Sequence, residues 1–204
     1  MDVDFWFDPI CPFCWMTSRW ITGIAPQRDL SITWKPISLL VKNNPPETSP
    51  FFAPVTRTRD LLRVVESVRA SGRADAIGDL YTAFGRSIHH EKSVQFDVAA
   101  MLESVGLDPA HATALVDSSF DAAIQASMDD AFSLVGTDVG TPIIALEAAV
   151  GRVGLFGPVI TVFPEGDAAL RLWDGFVAMA ETPGFYELKR TRTAPPALPP
   201  LDPQ

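Results

Sequence analysis

The sequence predicts an α/β protein in which a strand–helix–strand unit and a strand–strand–helix unit flank a long helical block. Three observations predict it. Two short runs near the N-terminus, Val3–Phe7 and Leu30–Lys35, have strand character and bracket a helix-like segment. From about Pro54 to Val135 the apolar periodicity is helical throughout. Strand character returns at Thr141–Leu146 and Arg152–Phe156, ahead of an amphipathic segment.

The first helix is expected to begin at Cys11–Pro12–Phe13–Cys14, with Pro12 in the first turn, where its missing N–H costs nothing. It is expected to end before Ala25–Pro26, because proline disfavours helical geometry in the residue before it. Leu30–Lys35 alternates apolar and polar residues as a half-buried strand does, and the crossover makes the two strands parallel. Residues 43–52 form a turn-rich break. Beyond it, Leu61, Leu62, Val65 and Val68 mark one helical face, and Ile77, Leu80, Tyr81, Phe84 and Ile88 mark another. Gln95–Val105 and Phe120–Val135 read as further helices, with Asp108 and Pro109 as N-cap and first position of a short one between them. The two late strands form a hairpin through Gly151. Glu165–Ala180 turns Ala169, Leu172, Trp173, Phe176 and Ala180 inward, and Thr182–Pro183–Gly184 stops it. Five prolines within residues 195–204 predict an extended, poorly packed tail.

At 204 residues and 47% hydrophobic, the chain can bury a real core. Sixteen basic against twenty-five acidic side chains give a net charge of −9, which argues against nucleic acid or anionic membrane as partners. No apolar run reaches the roughly 18 residues of a membrane span. The N-terminus lacks a secretion pattern, its first basic residue being Arg19, so the expected location is the cytoplasm. In a reducing compartment, two cysteines in a CxxC are catalytic or metal-binding rather than a structural staple.

Cys11 and Cys14 are the only cysteines. Thiol–disulfide exchange needs a thiolate, and a helix N-terminus offers N–H groups and a positive dipole end to stabilise one. Cys11 is the expected nucleophile, and Cys14, one turn on, the resolving thiol. The alternative is half of a zinc site in a non-catalytic module. Its other ligands would have to come from His89, His90 and His111, for no second CxxC exists. Asp4, seven residues before Cys11 in an apolar strand, is a candidate proton relay for Cys14; the plainer reading is a solvated residue near a frayed terminus. Pro12, Phe13 and Trp15 border the motif as candidate substrate contacts, whereas Trp6 and Trp20 are expected in the core. His89, with His90 and Arg86 nearby, is placed to overhang the site, or to cap a helix end. Lys189, Arg190 and Arg192 form the one dense basic cluster, expected to complement a helix C-terminus rather than to bind an anionic substrate.

The order βαβ, helical block, ββα, with CPFC after the first strand and Gly140–Thr141–Pro142 opening the third, resembles the thioredoxin fold with a helical insertion seen in the DsbA-type oxidoreductase family. The resemblance is closer to its cytoplasmic branch of mycothiol-dependent reductases, whose phrases DFWFDPICPFCW, SRW, GTP, FGPV, LWD and ELKRTRT occur in order between residues 4 and 193. It implies a discontinuous thioredoxin-like domain (1–42 and 136–190), an inserted helical domain (43–135) and a proline-rich tail (191–204). It also implies a cis Thr141–Pro142 bond facing the cysteines, with the Thr141 backbone presented to the substrate, and places Asn43 near the sulfurs. Phe13 stands where the family usually has tryptophan or histidine. The implied activity is a Cys11/Cys14 dithiol–disulfide cycle, mainly reductive. No cofactor is tightly bound, and a low-molecular-weight thiol (mycothiol, or one like glutathione) is the reductant. Disulfides, including those of proteins, and electrophilic small molecules such as nitroaromatics are the implied substrates. Related thiol-dependent isomerases and kappa-class transferases share the architecture but typically carry serine where Cys11 stands.

Overall fold

The structure, a computed structural model, describes residues 1–93, 95–149 and 151–199. Residues 200–204 of the expected tail lie outside the described residues. A four-stranded sheet has the order β2–β1–β3–β4, with β1 (Asp2–Phe7), β2 (Ser31–Pro36), β3 (Ile143–Ala148) and β4 (Gly151–Phe156). β1 pairs parallel with β2 and antiparallel with β3, and β3 with β4 forms the antiparallel hairpin. Val3, Phe5, Trp6 and Phe7 are all buried, as a central strand covered on both faces requires.

The pleat sends Phe5 and Phe7 to one face and Asp4 and Trp6 to the other. Phe7 stacks on Tyr81, ring centroids 4.0 Å apart, and Tyr81 meets Trp15 of α1 (Pro12–Arg28) edge-on. On that side α1 also packs on α7 (Gly166–Ala180), where the Trp20 indole donates to the Ala169 carbonyl at 3.0 Å. On the opposite face Trp6 donates to the Ser127 carbonyl of α6 (Asp121–Val135) at 2.9 Å. The thioredoxin-like α/β arrangement is therefore present, and the segment between β2 and β3 is helical. It contains α2 (Leu39–Asn43), α3 (Phe52–Ala70), α4 (Ile77–Gly85), α5 (Val98–Ser104) and α6, with shorter turns between them. Among the described residues no helix is long and apolar enough to cross a membrane.

Two local expectations are corrected. The first helix does not end before Ala25–Pro26 but runs through Pro26 to Arg28, where Asp29 in the left-handed region closes it by an N–H bond to the Ala25 carbonyl. One missing donor in the last turn is tolerated when a cap follows directly. Helix α2, which reaches one residue into the predicted break, is capped by Ser38, whose Oγ accepts the Val41 N–H at 3.4 Å, and is also anchored from afar, the Leu39 N–H donating to Asp8 Oδ2 at 2.7 Å.

Candidate active site

Cys11 occupies the N-cap of α1, and its sulfur accepts the Cys14 N–H at 3.4 Å. As a thiol it also reaches the Thr141 carbonyl at 3.6 Å, across 130 residues of chain. The Thr141–Pro142 peptide is cis, as is Gly157–Pro158. Cys14 lies deeper, fully buried, with its sulfur 3.9 Å from the Trp6 carbonyl. Both cysteines are free thiols.

The two sulfurs are chemically unequal. Hydrogen bonding from the Cys14 thiol lowers the Cys11 pKa most; burial opposes it, and the Thr141 hydroxyl and the Cys14 and Phe13 N–H groups add to it, leaving a value of about 7. Cys14 moves the other way, well above the ordinary thiol range, first because it is buried and then because Cys11 takes the shared hydrogen bond and the charge. The Thr141 hydroxyl is buried without a hydrogen bond of ordinary geometry. It stands near enough to both sulfurs to favour either thiolate, a polar contact rather than a formed bond.

Of the expected substrate contacts, Pro12 and Phe13 are half-buried at the rim, and Thr141 and Pro142 are buried beside Cys11. His89 belongs to a π-helical turn, Arg86–His90, that continues α4, and its Nε2 donates to the Pro9 carbonyl at 2.9 Å. The carbonyl can only accept, so His89 carries its proton on Nε2 and leaves Nδ1 as a lone pair. Burial lowers its pKa to about 4, so the ring is neutral near pH 7. Asn43 is exposed at the end of α2.

Two expectations fail at the site. Trp15 is not a rim residue: it is fully buried, stacked against His89, and donates from its indole to His90 Nε2 at 2.9 Å. Asp4 is not near Cys14 but on the far face of the sheet from α1, where it pairs with Lys35 (3.1 Å) and Arg152 beside Asp130 of α6. Spacing along a strand does not tell which face a residue takes; the pleat does.

The buried carboxyl of the motif is Asp8, missed by the sequence reading. It is wholly buried, and burial raises its pKa to about 6 despite hydrogen bonds from the Leu39 and Ile10 N–H groups and the Thr58 hydroxyl. Its carbonyl accepts the Cys11 N–H at 3.0 Å, and its own N–H favours the Cys14 thiolate. The available signal was an aspartate before proline entering a CxxC, a turn-former with spare acceptors. Among the described residues, no three histidine, cysteine, aspartate or glutamate side chains gather as a metal site would need.

A family model described as "Rv2466c-like: Mycothiol-dependent nitroreductase Rv2466c" matches residues 10–190. The chain belongs to the Rv2466c-like family. This Rv2466c-like chain is also 31% identical, over 200 residues, to the uncharacterized protein Rv2286c of Mycobacterium tuberculosis, covering 94% of this chain and 82% of that protein. Among solved structures, it is similar to the cytosolic disulfide reductase DsbM of Pseudomonas aeruginosa (TM-score 0.58, 13% identity, 88% of this chain and 100% of that one). It is also similar to the oxidoreductase DsbA of Xylella fastidiosa (TM-score 0.50, 20% identity, 87% and 84%). Those two likenesses establish the fold. With the family, they make this Rv2466c-like protein a thiol–disulfide oxidoreductase.

Proposed function

We propose that the protein works mainly as a cytoplasmic reductase through a Cys11/Cys14 dithiol–disulfide cycle. The observation that carries this reading is the inequality of the thiols: Cys11 caps α1 and accepts the Cys14 N–H at 3.4 Å, which favours its thiolate, whereas Cys14 is fully buried and holds its proton. A thiol whose pKa is lowered toward neutrality suits a nucleophile, and the family description supports the reductive direction. The Cys11 thiolate attacks one sulfur of a disulfide, and the first thiolate leaves. Cys14 then loses its proton and attacks Cys11 Sγ, the second thiol leaves, and the Cys11–Cys14 bond forms. Two small thiols restore the dithiol and depart as their own disulfide. The family description supports mycothiol in that role and nitro compounds among the substrates, and nitroaromatic or other electrophilic small molecules are the substrates proposed here. Thr141, Pro142, Pro12, Phe13 and neutral His89 form the substrate rim in this proposal, with Asn43 at its outer edge.

The test is the Cys11–Cys14 reduction potential, from free-thiol counts in defined thiol–disulfide buffers. A value of about −270 mV or below supports a reductase; one of about −120 mV means a strong oxidant and overturns the proposal. Cys14→Ser completes it by stalling as a mixed disulfide between Cys11 and the substrate. A thiol-dependent isomerase or transferase would keep turning over instead.

A further inference from the structure

Among the described residues, no side-chain hydrogen bond joins Lys189, Arg190 or Arg192 to a helix C-terminus. Helix α7 ends at Ala180, and the chain beyond it returns to the rim of the active site. There the Arg192 guanidinium lies over the Phe13 ring, its central carbon 4.8 Å from the centroid, a cation–π contact with the residue between the two cysteines. The returning segment is held downstream of Arg192, where the Ala197 N–H bonds the Thr161 carbonyl at 2.8 Å and Pro199 is buried. Among the described residues no acidic side chain pairs with Lys189, Arg190 or Arg192, although acidic residues outnumber basic ones in the chain.

We infer that Arg192 selects substrates: it makes the site favour disulfides that carry negative charge beside the reacting sulfur. The inference rests on the dithiol reading and names its substrate class. Phe13 lies between the two cysteines, and the Arg192 guanidinium over its ring sets a cation at the rim of the site. A net charge of −9 repels anions at long range, so a local cation decides whether an anionic substrate settles at Cys11. The same cation also aids the chemistry of any disulfide. Cys11 thiolate attack breaks the substrate S–S bond and expels a thiolate, whose developing charge a neighbouring guanidinium stabilises. Cys14 attack on the mixed disulfide then expels the second thiolate, so two electrons pass from the dithiol to the substrate.

The experiment compares the reduced protein with two aromatic disulfides, dianionic dithiobis(nitrobenzoate) and neutral dithiodipyridine, by stopped-flow absorbance. The readout is the ratio of the first-phase rate constants. Arg192→Ala is expected to lower the anionic-to-neutral ratio about fivefold, the worth of one unit-charge contact in water. Arg192→Lys is expected to retain most of the ratio, and salt above about 0.1 M to erode it in the wild type. An unchanged ratio in Arg192→Ala overturns the inference, as does an equal loss in Arg192→Lys, which would assign the effect to packing on Phe13. Counting released thiolates tests the underlying reading separately. Two per molecule mean a dithiol cycle; one means Cys14 does not resolve, whatever the first-phase ratio shows.

Discussion

His89 donates its Nε2 proton to the carbonyl of Pro9, two residues before Cys11, and thereby binds the helical segment between β2 and β3 to the loop that carries the nucleophile. The neighbouring Asp8 binds the same loop to the start of α2. The two groups titrate in overlapping ranges with opposite consequences. Asp8 folded keeps a proton up to about pH 6 that the unfolded chain releases near 3.8, so its contribution falls as pH rises through that window. His89 folded gives up its proton near 4, where the unfolded chain holds it up to 6.5, so its contribution rises with pH.

The expected outcome is that the two opposed contributions partly cancel in the wild type between pH 4 and 6.5, with His90, whose pKa burial also lowers, adding to the rise. Asp8→Asn should uncover a rise across that window, and His89→Gln a fall. The Asp8 effect is about 3 kcal/mol at full extent, and the His89 effect smaller because that ring is partly solvated. Denaturant midpoints over the range check this; parallel profiles for wild type and both variants would refute it.

Cys11 lends itself to direct titration. Thiolate absorbance of the reduced protein should rise with an apparent pKa of about 7 and vanish in Cys11→Ser. Because the folded value lies below the unfolded 9.0, this thiol adds stability as pH rises from 7 to 9 and loses it again on acidification through 7. The gain, about 2–3 kcal/mol, belongs to the reduced protein only. A titration centred near 9 would remove the basis for Cys11 as a poised nucleophile.

Gly85 ends α4 where the π-helical turn begins, and a Cβ there would come within 2.1 Å of the buried Trp15 ring. Trp15 is packed on every side and cannot retreat. Gly85→Ala should cost about 1–3 kcal/mol and displace the turn carrying His89 and His90. Gly23→Ala, where nothing lies within 4 Å, should be neutral or stabilise by roughly 0.5–1 kcal/mol. Thermal melts of the pair, with loss of the Trp15–His90 bond read from indole fluorescence, test the assignment.

Asp4→Asn should leave the resolution of a Cys11 mixed disulfide unchanged while lowering stability by about 1 kcal/mol, as expected for a half-exposed ion pair. Rapid-quench measurement of mixed-disulfide decay at neutral pH is the check. A decay slowed in proportion to proton transfer would return Asp4 to the relay.

Sequence alone determined the element order and the reactive motif. Strand periodicity brackets CPFC, proline opens the helix, and a helix N-terminus stabilises a thiolate whatever surrounds it. Those are short-range effects, set within a few residues by backbone geometry and local hydrogen bonds. Tertiary structure decided what each neighbour of the motif does. The pleat sent Asp4 to the α6 face and left Asp8 as the buried carboxyl. Packing of the π-helical turn enclosed Trp15 and set the His89 tautomer, and the returning C-terminal segment put Arg192 on Phe13. Each depends on which surfaces meet after the chain has folded back over tens of residues or more, and side-chain periodicity carries no record of that meeting.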